Sequence, residues 1–106
     1  MWTFGLDIPH GENNRTPGVY DPGAIGGGQQ EHNKGEGMVK RLLRDLTALG
    51  YRVSLSSGAL NGRWLVHSRA KAAVVISPHM NAGRGRGGEC WVSPVASRQT
   101  VLVATL

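Results

Sequence analysis

This chain of 106 residues has one cysteine, one phenylalanine and no long apolar run. With Cys90 alone, neither an internal disulfide nor a cysteine-based zinc site can form, so any metal site must be built from histidine and carboxylate. No segment approaches the roughly 20 consecutive apolar residues that span a bilayer, which predicts no membrane insertion. The amino terminus, MWTFGLDIPHG, has no basic n-region and no long apolar h-region, so no signal peptide is visible. Acids are scarce too, seven against twelve Lys and Arg, giving a formal charge of +5. That balance favours an anionic partner (a cell wall, a membrane surface or nucleic acid) without choosing among them.

Glycine is abundant. Of its 16 residues, half gather at 23–28 and 83–88, which points to loops shaped for close approach. Hydrophobic residues make up 40% of the chain, enough for the modest core of one domain over 1–106. Residues 2–8, WTFGLDI, are strand-like and are broken by Pro9 and Gly11 on either side of His10. Residues 11–30 have no sustained period and read as one long surface loop. From Glu31 to Leu49, Met38, Val39, Leu42, Leu43, Leu46 and Leu49 recur at helical spacing, with Gly50 as the C′ residue and Gly35 and Gly37 weakening the first turns, which points to a later helix start. YRVSLS (51–56) is a second strand, 60–72 a second helix presenting Leu60, Trp64 and Leu65, and 73–77 a third strand. CWVS is expected to be a further strand and 96–106 the start of another helix, while Trp2, Trp64 and Trp91 are expected in the core. The order predicts an α/β fold: a mostly parallel twisted sheet with helices on both faces.

In such a sheet, functional groups sit where strands open into loops at their carboxyl ends. His10 and His79 both occupy that position, so they can converge on one crevice. A hydrolytic zinc site commonly takes three His or Asp/Glu ligands and keeps a fourth position for water. Glu31, where the glycine loop meets the first helix, is the best carboxylate by position; Glu12, Asp21 and Glu36 are its rivals. His32 is a neighbour less suited to coordination, and His67 reads as a surface or packing residue. The tract GRGRGG holds Arg84 and Arg86 among glycines, and it reads as a rim loop or as a short phosphate-attracting tract.

Several elements in order resemble the zinc-dependent N-acetylmuramoyl-L-alanine amidases of the mixed α/β type. LDIPHG resembles the family's opening strand and first ligand histidine, here His10; YDPGAIG followed by QQEHN resembles the glycine turn leading to the ligand glutamate, here Glu31. LTALGYRVSLS is similar to the helix end and second strand, and LVHSRAKAA to the arginine-containing helix, here Arg69. ISPHMNAG resembles the strand bearing the second ligand histidine, here His79, with Asn81 just beyond, and GGECWVSP resembles the next strand. Ile8 and Pro9 stand where the family usually has Pro and Gly, and Pro78 and Met80 flank His79 where smaller or aliphatic residues are common.

The resemblance implies a Zn²⁺ ion held by His10, Glu31 and His79, with Asn81 and Arg69 as outer-shell or substrate-binding residues. It implies hydrolysis of the amide between N-acetylmuramic acid and L-alanine in peptidoglycan, as in a phage lysin or an exported autolysin. The family's catalytic glutamate lies on a later strand and has no counterpart up to Leu106, so the expectation is a partial domain lacking the last strand or strands. Glu89, the only acid after His79, takes no catalytic role in this reading. The alternatives are a zinc-containing wall-binding module without catalysis and a basic nucleic-acid-binding protein, of which the second is disfavoured.

Overall fold

The computed structural model describes residues 2–80 and 90–105. Strand β1 (Thr3–Asp7) is followed by two short antiparallel ladders, β2 (Gly11–Glu12) with β3 (Tyr20–Asp21) and β4 (Ile25–Gly26) with β5 (Gln29–Gln30). Then come α1 (Glu31–Ala48), β6 (Arg52–Ser56), α2 (Arg63–Arg69), β7 (Val74–Ile76) and α3 (Arg98–Thr105). The region expected as one irregular loop is thus folded into two hairpins. Among the described residues, no helix is long and apolar enough to cross a membrane.

β1 is the central strand of a three-stranded parallel sheet ordered β6-β1-β7. In this register Phe4 lies opposite Val53 and Val74, Leu6 opposite Leu55 and Ile76, and Asp7 opposite Ser56. Side chains alternate between the faces of a strand, so these pairings sort the sheet into an apolar face and a polar one. The apolar face receives α1. Leu6 and Val39 are both 0% exposed and, with Ile8, form a core flanked by Leu42, Leu43, Leu46, Val53 and Ile76. The polar face, with Gly5, Ser54, Asp7 and Ser56, receives α2. A Cβ on Gly5 would stand 2.6 Å from Nδ1 of His67, so only glycine lets this helix settle so close. Helices therefore cover both faces, as the alternation of strand and helix predicts.

Three expectations are corrected. The tryptophans are not core residues: Trp64 is 66% and Trp91 84% exposed, and Trp2 also reaches solvent. The reason lies in the sheet, whose polar face selects Arg63 and His67, four apart on α2, as the buried positions and turns Trp64 outward. CWVS is not a strand; four residues closed by Pro94 offer few ladder bonds, and among the described residues β7 pairs only with β1. Gly35 does not delay α1, which begins at Glu31. It is buried against Pro9, where a Cβ would come within 2.7 Å of the proline ring.

Both main helices end in the same way. After α1, Tyr51 N–H donates to Leu46 O and Gly50 N–H to Thr47 O, with Gly50 at φ 87°. This is the Schellman arrangement expected of a C′ glycine. α2 ends with the same pair of bonds, Ala72 N–H to His67 O and Lys71 N–H to Ser68 O, but here Lys71 adopts the left-handed conformation at φ 54°.

Candidate metal centre

β1 carries the chain to His10. Ile8 N–H extends the pairing with Ser56 O, Pro9 is fully buried, and then the backbone reverses through His10 at φ 57° and Gly11 at φ 92°. A left-handed conformation is uncommon outside glycine, though histidine is among the residues that adopt it more readily. Here the flanking carbonyls are fixed: Pro9 O accepts from His32 Nδ1 at 2.8 Å, and His10 O accepts from Arg63 Nη2 at 3.0 Å. The turn thus presents the His10 ring to the carboxyl end of the sheet.

Glu31 arrives from the other side as the first residue of α1. Its backbone N–H donates to Ala24 O, while its carboxylate accepts from Ala24 N–H at 2.9 Å and from Met80 N–H at 3.0 Å. His79 follows β7, half-exposed, with Nδ1 3.0 Å from Glu31 Oε1. His10 Nε2 lies 3.1 Å from Glu31 Oε2. One ligand atom from each of His10, Glu31 and His79 can be chosen so that all lie within 4.8 Å of one another, the span of a single coordination sphere. The two imidazoles meet edge to face, with centroids 5.4 Å apart.

The charge state follows from the neighbours. Burial pushes the Glu31 carboxyl up, but the N–H groups of Ala24 and Met80 and the rings of His79 and His10 outweigh it, so its pKa is lowered and the group is ionised. Asp21 is held well below the usual carboxylate range, first by Gly23 N–H and then by His10 and Asn14. It sits 3.1 Å from His10 Nδ1 and 2.7 Å from Asn14 Nδ2. An ionised Asp21 can only accept, so Nδ1 carries a proton and Nε2 is the ring nitrogen turned towards Glu31.

That nitrogen faces a carboxylate oxygen. Despite the short separation from Glu31, His10 Nε2 is buried without a hydrogen-bond partner. A ring nitrogen and a carboxylate oxygen this close need a proton or a metal cation between them. Gly23 leaves the room: at φ 70°, a Cβ there would lie 2.6 Å from Glu31 Oε2 and 2.7 Å from His10 Cδ2. The orphaned nitrogen, the ionised carboxylate and the space beside Gly23 together fit a divalent metal ion bound by imidazole nitrogen and carboxylate oxygen.

The structure thus brings His10, Glu31 and His79 together. Of the rival carboxylates, Asp21 contacts the outer nitrogen of His10, Glu12 is exposed on β2, and Glu36 pairs with Lys40 at 3.1 Å and His32 at 3.5 Å. His32 holds the Pro9 carbonyl. Arg69 is exposed in the last turn of α2. The arginine of that helix which reaches the site is Arg63, only 8% exposed, which donates to His10 O, to Asn14 Oδ1 at 2.8 Å and to Gly58 O, and lies 3.4 Å from both oxygens of Asp7. Asn81, Arg84, Arg86 and Glu89 lie outside the described residues.

Sequence reasoning passed over Arg63, Asp7 and Asn14. The available signal was alternation: in TFGLDI and RVSLS the polar residues all fall on one face, and such a face needs a polar helix over it. A cleft of about 380 Å³ runs along β7 to Ser77 and His79, walled by Val74, Ile76 and Trp91. Compared with models of protein families, with curated proteins and with solved structures, the chain matches none.

Proposed function

We propose that this chain is a zinc-dependent N-acetylmuramoyl-L-alanine amidase domain that hydrolyses the amide between N-acetylmuramic acid and L-alanine in peptidoglycan. The observation that carries the reading is the convergence of His10, Glu31 and His79 within one coordination span, with Gly23 packed against Glu31 and His10. The ordered motifs around these three residues supply the substrate class. The net charge of +5 suits an anionic wall polymer.

His10, Glu31 and His79 would hold the ion. When bound, Zn²⁺ supplies a Lewis acid for the scissile carbonyl and lowers the pKa of its water towards ~7. The chain's own residues do the positioning. Asp21 keeps the His10 proton on Nδ1, the N–H groups of Ala24 and Met80 keep Glu31 ionised, and the cleft along β7 offers a channel beside His79 for an extended substrate.

A second reading, a zinc-containing wall-binding module, is favoured by one observation. Among the described residues, the carboxylates touching His10 or His79 are Glu31 and Asp21, and both are occupied in holding the site. Purified protein with added zinc, incubated with peptidoglycan, separates the two. Release of new L-alanine amino termini, abolished by a chelator and by Glu31→Gln, supports the amidase. Zinc-dependent sedimentation with the wall and no new termini supports the binding module. Neither cleavage nor zinc-dependent sedimentation rejects both.

A further inference from the structure

A row of hydrogen bonds crosses the sheet at the level of Asp7 and ends on His79. Ser77 Oγ donates to Asp7 Oδ2 at 2.7 Å, and Ser56 Oγ donates to Asp7 Oδ1 at 2.7 Å. Ser77 Oγ also lies 3.2 Å from His79 Nε2. Arg63 flanks the same carboxylate. The row is a product of register. Asp7 stands opposite Ser56, and Ser77 follows Ile76, the partner of Leu6, so it extends β7 to the level of Asp7.

Proton counting gives the row a direction. A hydroxyl has one proton, and a carboxylate flanked by an arginine takes it. Ser77 therefore gives its proton to Asp7 and can only accept from His79, so Nε2–H is the outer side of the ring; Nδ1, hydrogen-bonded to Glu31 Oε1 at 3.0 Å, is the atom turned into the site, where a bound ion would take the place of its proton. His10 is served in mirror fashion, since Asp21 fixes its proton on Nδ1 and frees Nε2. One ligand histidine is thus oriented directly by a carboxylate and the other through a hydroxyl.

We infer that Ser77 and Asp7 are positioning residues for His79, selecting its Nδ1 as the metal-binding atom. The inference rests on the proposed metal site and adds which nitrogen binds and what selects it. His79 is about half-exposed, so little packing holds its ring, and the Ser77 contact is the restraint on its outer nitrogen. Outer-shell partners of ligand histidines commonly contribute about 10- to 100-fold in metal affinity.

The test uses the full chain, Zn²⁺ competed against a chromophoric chelator, and Co²⁺ as a spectroscopic substitute. Ser77→Ala is expected to weaken Zn²⁺ binding about 10-fold or more and to alter the Co²⁺ ligand-field spectrum, while Ser77→Thr, which keeps the hydroxyl, restores both. Ser77 is exposed, so the alanine variant is suited to a comparison of folded proteins, with far-UV circular dichroism as the check. Asp7→Asn gives a second, smaller loss of affinity in the same direction. Long-range ¹H–¹⁵N correlation on the zinc-loaded wild type should show a protonated Nε2 and a metal-bound Nδ1 at His79. Unchanged affinity and spectrum in Ser77→Ala, or coordination through Nε2, overturns this inference while leaving the metal site standing. A wild-type chain that binds neither ion overturns the metal site itself and the inference with it.

Discussion

Replacing Arg63 with alanine should unfold much of what holds the site, whereas the same change at Arg69 should be nearly silent. Arg63 is buried at 8% exposure, and its Nη2 donates to His10 O at 3.0 Å, Asn14 Oδ1 at 2.8 Å and Gly58 O at 2.6 Å. The contact with Asp7, at 3.4 Å, joins two largely buried charges, so losing that partner adds to losing the short bonds to His10 O, Asn14 Oδ1 and Gly58 O. Hydrogen bonds to a charged group contribute about 1.5–3 kcal/mol each and do not add fully. Removing one member of a buried charged pair costs about 3–5 kcal/mol. We take about 3–5 kcal/mol as the expected loss, a large share of the roughly 5–15 kcal/mol that stabilises a domain. Arg63→Lys should fall between, because an ammonium cannot reach acceptors on the β1 turn, the following loop and Gly58 together. Arg69→Ala should stay within about 0.5 kcal/mol. Urea unfolding followed by far-UV circular dichroism is the assay; tryptophan emission is a poor probe because Trp64 and Trp91 are already exposed. An Arg63→Ala variant within about 1 kcal/mol of wild type, below the range for a broken buried pair, would refute the reasoning.

Three further outcomes are expected. Gly23→Ala should weaken zinc binding by more than about 10-fold, the scale of losing a ligand's support, because a Cβ there strikes Glu31 Oε2 and the His10 ring; unchanged affinity in a zinc titration would show that the space is not needed. Burial holds the His67 imidazole below its ordinary 6.5, partly offset by the charge of Asp7. The unfolded chain therefore binds this proton first, so stability is complete above pH 6.5 and declines as pH falls from there towards the lower folded value. Urea midpoints at several pH values should show His67→Gln losing that part of the slope, and an identical slope would exclude His67 as its source. Lys71→Gly relieves a left-handed lysine at φ 54° and should raise stability by up to about 1 kcal/mol, net of glycine's entropy, in the same unfolding experiment; a loss would mean the Lys71 side chain contributes more than its backbone costs.

Much of this arrangement could be read from residue order. The apolar period of 38–49 identifies α1 and its glycine stop, and the strand-end positions of His10 and His79 bring them to one edge, because parallel strands share a carboxyl end. Glu31 was legible only as the best of several acids. Choosing it over Asp21 depends on the two hairpins between β1 and α1, whose two-residue ladders leave almost no periodic trace in the chain. Arg63 was hidden for a different reason. Trp64 and Leu65 suggest an apolar helix face, but the sheet face beneath α2 is polar, and that follows from register across three strands rather than from the helix sequence. Such long-range pairing also explains the misreading of CWVS, where local β propensity met no partner strand among the described residues.

Equilibrium dialysis with Zn²⁺ tests the central claim most directly, comparing the wild-type chain with Glu31→Gln and the His10→Ala, His79→Ala double variant. The account predicts one tightly held ion per wild-type chain, retained against a weak chelator, and none in either variant. Wild-type protein that keeps no zinc, or variants that keep as much as the wild type, would contradict it.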